Sequence, residues 1–223
     1  MTRQTNARVA GAAFLLYIII GIAMMMIAGV TTADEITQRM ILMAEHAARI
    51  RINFLLTFVV IIVAVTLAIT QYAITRDEDQ DIARLGLAFR LAESFLGVLG
   101  MTATLSLLWL SSSDQVVTSN AAVQTFASLL QKIRQWNVTI AATLFAIGSL
   151  FFCGLMLRGK MIPTMLAWLG VIASVLLIFS MPLSLAGFIS SSTAQYTWIP
   201  MALFEIPLGV WLLIKGVYEK PVS

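Results

Sequence analysis

Six apolar stretches separated by short polar segments set the pattern of this chain: residues 9–30, 52–73, 85–110, 136–157, 162–189 and 198–214. Each is close to the roughly 20 residues that a helix needs to cross a bilayer. Backbone N–H and C=O groups in lipid must bond within their own segment, so helices are the expected form. A closed β-barrel would instead show alternating segments of about ten residues, and none is visible. The pattern predicts an all-α fold, an integral membrane bundle of six transmembrane helices forming one domain over residues 1–223.

The polar segments carry their own signals. Residues 32–35 read "TADE" and residues 112–115 read "SSDQ", both with the spacing of a helix-capping box. After the first, Ile36, Met40, Met43, Ala47 and Ile50 recur at helical spacing; after the second, Val116, Val123, Phe126, Leu130 and Ile133 do the same. The expectation is two short outer amphipathic helices that cover the bundle or lie in the interface. The alternative is an outward extension of spans two and four. Residues 190–196, "SSSTAQY", read as a plain turn, and residues 158–163 as a tight hairpin. Pro182 and Pro207 should kink spans five and six.

Composition agrees with a lipid environment. Of 223 residues, 60% are hydrophobic and only 11% charged, where a soluble domain carries roughly 25% charge. Mean hydropathy is +0.93. The net charge of +3 arises from few residues, so nucleic acid is not an expected partner; the bilayer is. One cysteine, Cys153, allows no internal disulfide or thiolate cluster. One histidine, His46, does not support a histidine-rich metal or haem site, so no metal or cofactor is expected. The first apolar run follows two arginines but, at about 22 residues, exceeds the 7–15 of a signal core, and reads as a retained first span.

Basic residues set the expected orientation. Arg3, Arg8, Arg76, Arg84, Arg158, Lys160, Lys215 and Lys220 fall on one side, against Arg39, Arg49, Arg51, Lys132 and Arg134 on the other. This excess places both termini in the cytoplasm by the positive-inside rule.

Three charges interrupt the apolar spans. In "AFRLAESFLGVLG", residues 88–100, Arg90 and Glu93 lie roughly 7 and 12 Å into span three at 1.5 Å per residue. A step of three puts them on one helix face, which Gly97, Gly100 and Thr104 continue. Such a stripe belongs against other helices rather than lipid. Glu205 in span six lies roughly 15 Å from its inner end, and Tyr17 and Ser149 fall at comparable depth. Arg90, Glu93 and Glu205 can therefore meet in one layer. An isolated intramembrane charge costs about 2.5–3.5 kcal/mol on insertion scales, so pairing is expected, and two carboxylates against one guanidinium leave one acid over. Three readings of the layer stand: a structural clasp between helices, a ligand site lined by Arg90, Glu93, Glu205, Tyr17 and Ser149, or a proton path through Glu205.

Other candidates are weaker. Glu45, Arg49 and Asn53 share a face at the outer end of span two, where Arg49 and Asn53 suit an anionic head group or a plain interfacial anchor. Cys153 sits in apolar "LFFCGLML" as an inert thiol. A serine triad would have to use the single histidine. Asn137 fits a glycosylation pattern but abuts a span.

Several segments together are similar to a known family: "ARVAGAAFLLYIIIGI" in span one, "AFRLAES" in span three, "LFAIGSLFFCGLMLRGKMIPTMLAWLGVIASVLL" across spans four and five, and "PMALFEIPLGVWLLIKG" in span six. They resemble the bacterial membrane proteins grouped as domain of unknown function 4386. The resemblance implies a six-span protein of the bacterial inner membrane and no established activity. The residues favour a protein that binds a small or lipidic ligand near Arg90, Glu93 and Glu205. A small proton-coupled transporter and a structural partner in a membrane complex are the alternatives. No nucleophile–base pair argues for an enzyme, and the oligomeric state is open.

Overall fold

The computed structural model describes residues 1–29, 35–112 and 120–218. Among these residues there are eight helices and no strand. Six segments are long and apolar enough to cross a membrane: α1 (Arg3–Gly29), α3 (Ala47–Thr75), α4 (Gln80–Ser112), α5 (Ala121–Arg158), α6 (Thr164–Leu185) and a last one over Ser191–Ile214, which contains α8 (Trp198–Ile214). Of the two shorter helices, α2 (Ile36–Glu45) lies between α1 and α3, and α7 (Ser191–Tyr196) forms the start of the sixth segment. The chain is an all-α membrane bundle. Its outward surface is studded with large apolar side chains such as Ile19, Phe95, Trp109, Phe179 and Leu203, as a lipid-facing surface requires.

The six spans stand in a ring. Each packs against the next in chain order, α1 on α3, α3 on α4, α4 on α5, α5 on α6 and α6 on α8, and α8 closes the circle onto α1. Short connections force sequential spans to be antiparallel neighbours. Small residues let two of these pairs approach closely. A Cβ on Gly148 of α5 would stand 3.1 Å from the Gly86 carbonyl of α4, and one on Gly11 of α1 would run into the α8 backbone at Leu213.

The end of the bundle that carries both termini is tied shut. Gln4 Nε2 donates to the Val217 carbonyl at 2.6 Å, and the Val217 N–H donates back to Gln4 Oε1 at 3.2 Å. Arg3 Nε donates to the Ile74 carbonyl, and the Tyr218 N–H to that of Met161. Beneath these bonds Ile74, Met161, Ile162 and Val217 are buried. Gly216 makes the tail's turn at φ 73°, a left-handed conformation that suits glycine.

The opposite, far end carries the outer helices. Met40 and Met43 of α2 pack with Leu107 and Leu108 of α4 and with Ala127 of α5, and Ile36, Ala47, Val123 and Leu130 join them. The periodic apolar face expected after residue 35 is thus the face that packs. The second outer segment differs from a separate helix. It is the unbroken N-terminal part of α5, whose 38 residues span roughly 57 Å at 1.5 Å each. Residues 121–147 contain no glycine or proline to break it, and Asn120 caps it, accepting from the Ala122 N–H at 2.9 Å. Both expected capping boxes fall largely on residues 32–34 and 113–115, outside the described residues; Glu35 makes no side-chain cap bond. Residues 191–196 form α7 instead of a plain turn, capped by Ser190. Span five stops at Leu185, short of residue 189, because Gly187 at φ 83° turns the chain and the Phe188 N–H bonds the Leu183 carbonyl. Pro182 and Pro207 both lie inside continuous helices.

Candidate functional site

The ring of spans encloses a cavity of about 410 Å³. Its walls are mostly apolar, from Met24, Ile27, Phe54 and Leu105 among others. Gly97, Gly100 and Thr104 lie along it, so the small-residue stripe of span three faces this space. The fit at Gly97 is loose: the nearest atom to a Cβ there would be Ile61 Cγ1 at 4.0 Å. At Gly100 the cavity is narrowed by Asn137, whose Nδ2 donates to the Leu96 carbonyl at 2.6 Å.

Polar groups cluster at the two ends of the cavity. At mid-bundle its floor is formed by Tyr17, Glu93, Phe145, Trp198 and Glu205. Towards the far end, Arg39, Asn53, Gln131, Arg134 and Asn137 line it. Arg134 Nε donates to Gln131 Oε1 at 3.3 Å. Asn53 Nδ2 reaches the Met24 carbonyl at 3.5 Å, while its buried Oδ1 has no partner. No lining residue comes from the tied terminus end. Val138 and Trp198, 61% and 37% exposed, line the cavity and also meet the exterior.

Arg90 sits behind the floor, only 2% exposed. Its Nη1 stands 2.8 Å from Glu93 Oε2, one turn along α4. That contact is an ion pair without hydrogen-bond alignment, and Arg90 Nε is also buried without a partner. The guanidinium lies 4.5 Å from the centroid of the Phe145 ring on α5, a cation–π geometry. Its aliphatic stem fills the space left by Gly148: a Cβ there would stand 2.8 Å from Arg90 Cγ. The Phe145 ring also meets Trp198 of α8, centroids 5.7 Å apart. Arginine, phenylalanine and tryptophan thereby link α4, α5 and α8 around the floor.

Glu205 is partly buried and makes no hydrogen bond or ion pair among the described residues. It feels the charges of both Arg90 and Glu93. Tyr17 of α1 lies near the Glu93 carboxylate, and both line the cavity. The layer foreseen from helix arithmetic therefore assembles Tyr17, Arg90, Glu93 and Glu205 from three spans. Ser149 is buried but is not on the cavity wall. Arg49 is exposed at the far end and stands apart from the cavity, whereas Asn53 lines it. Phe145 and Trp198 are site-lining residues that the sequence pattern did not single out, and Asn137 stood out there only for its glycosylation pattern. A polar Asn137 at the edge of a span was the available signal; a phenylalanine and a tryptophan in apolar spans gave none. Among the described residues, no three metal-ligating side chains converge.

The matched segments cover this whole arrangement. A family model described as "Domain of unknown function (DUF4386)" matches residues 9–216. No curated protein and no solved structure matches the chain. Every floor residue and all six spans, α1 from residue 9 onward, lie inside the matched region, and the chain belongs to the DUF4386 family.

Proposed function

We propose that the chain binds a small or lipidic ligand inside the ring of spans, taken up through the far end. The carrying observation is the cavity itself: about 410 Å³, within the range of small-molecule sites, with apolar walls and a few polar groups gathered at its ends. A layer that served only as a clasp would be filled by its own side chains, as packed interiors are. Exposed Val138 and Trp198 on its wall suit a ligand that arrives from the lipid. By charge bias the terminus end faces the cytoplasm of a bacterium and the cavity opens away from it.

Native mass spectrometry of the gently purified protein tests this reading, beside Gly97→Trp. That substitution fills the cavity where there is room for it. A bound mass present in the wild type and lost in the variant is the expected result. Equal spectra, with no bound mass in either, would overturn the proposal.

One observation favours a second reading, that of a small transporter. The tie between Gln4, Val217, Tyr218 and Met161 holds together the end that supplies no lining residue to the cavity, as an outward-facing state would require. Glu205 would then serve as the coupling carboxylate. This reading predicts pH-dependent flux into liposomes that vanishes in Glu205→Gln.

A further inference from the structure

We infer that the cavity floor is a site for a monovalent organic cation, an ammonium group on an apolar body, presented to Glu205 and Glu93 and to the Trp198 and Phe145 rings. The inference rests on the reading that the cavity holds a ligand and adds its chemical class.

Charge comes first. Three ionisable groups of opposite sign meet at this depth: Arg90, Glu93 and Glu205. Arg90 is committed to Glu93 at 2.8 Å, and Glu205 is left with no ion pair among the described residues. Counted as ions, the floor carries one negative charge in excess. In a medium of low dielectric such a charge calls for a single compensating positive charge.

The second argument is the kind of surface around those carboxylates. Tyr17, Phe145 and Trp198 all border the floor. Ring faces attract cations, and tryptophan does so most strongly. Arg90 already lies over Phe145, so this layer holds one organic cation against an aromatic face, and Trp198 offers a further ring beside it. At the floor an anion would meet two carboxylates, with Arg90 behind them; the guanidinium groups that do line the cavity, those of Arg39 and Arg134, stand towards its far end.

Size and wall chemistry separate an organic cation from a metal ion. The space far exceeds one bare ion, and above the floor it is bordered by Met24, Ile27 and Phe54 rather than by oxygen ligands. Hard cations require six or more oxygens. An apolar body lying along these walls, with its charged end at the floor, matches the distribution of polar and apolar surface.

Equilibrium dialysis of the purified protein in an uncharged detergent tests the inference. The probes are benzyltrimethylammonium, which has no proton to give up, and phenylmethanesulfonate, of similar shape and opposite charge. The expected result is saturable binding of the ammonium, not displaced by the sulfonate. Binding should be weakened by about tenfold or more in Glu205→Gln, and similarly in Trp198→Leu, which leaves every charge in place. Failure of the wild type to bind the ammonium overturns the inference, as does unchanged affinity in both variants. Sulfonate binding that Gly97→Trp abolishes would also overturn it, while leaving the cavity reading intact. Absence of any bound mass in the native spectra would instead remove the reading on which it rests. Should Glu205→Gln fail to fold, Trp198→Leu still decides.

Discussion

The stem of Arg90 occupies the place where a side chain at position 148 would be: a Cβ added to Gly148 would lie 2.8 Å from Arg90 Cγ and 3.0 Å from its Cδ. A glycine on α5 thus makes room for an arginine on α4, and this is why a charged side chain can be 2% exposed between two closely packed spans. Gly148→Ala should destabilise the protein by about 1–3 kcal/mol through overpacking. In a double-mutant cycle with Arg90→Ala the two effects should be strongly non-additive, because the second change frees the space that the first one needs. Thermal unfolding in detergent measures the cycle; simple additivity would mean that the two residues do not compete for the same volume.

The Arg90–Glu93 pair is buried on both sides, with side chains 2% and 11% exposed. Removing one partner leaves the other charge uncompensated, which costs about 3–5 kcal/mol in buried pairs. Arg90→Met and Glu93→Leu should each be severely destabilising, and the two together milder than either sum. Denaturation curves of the single and double variants check this. Equal costs in the double and in the sum would show that the ion pair is energetically inert.

At the terminus end, Gln4 bonds both the N–H and the C=O of Val217. Gln4→Ala should cost about 1–3 kcal/mol, since both backbone groups lose their partner. Hydrogen exchange should accelerate locally at residues 216–218 and leave the centre of α5 protected. Uniform acceleration along the chain would contradict a local tie.

Cavity access can be read by thiol chemistry. Thr104 lines the cavity, whereas Cys153 is buried in the apolar core. In Thr104→Cys, a membrane-impermeant maleimide added from the far side should label position 104 and leave Cys153 unmodified. Labelling only from the terminus side, or at neither position, would contradict a cavity that opens at the far end.

Much of this architecture is written in the apolar pattern. The apolar stretch at 198–214 coincides with α8, bounded by Thr197 and Lys215, although Glu205 interrupts it. The face shared by Arg90, Glu93, Gly97, Gly100 and Thr104 followed from a helix period alone, and in the fold Glu93, Gly97, Gly100 and Thr104 line the cavity. Periodicity did not separate an outer amphipathic helix from a long extension: α5 stays unbroken because nothing between 121 and 147 stops it, and an apolar stripe looks the same in either case. It did not reveal the space beside Gly97 either. A glycine stripe predicts close approach, and only the placement of α1, α3 and α5 around it determines whether a neighbour or a void fills the gap. Depth arithmetic likewise put Ser149 level with the acids but carried no information about which way α5 turns it.

The central claim is that Glu93 and Glu205 border a space meant to be filled by something other than the protein. A cryo-EM density map of the protein in a lipid nanodisc tests it most directly. The account predicts non-protein density resting on Glu205, Glu93 and Trp198 and extending past Gly97 towards Arg134. A layer in which α1, α4, α5 and α8 close on one another, with no room between their side chains, would contradict it.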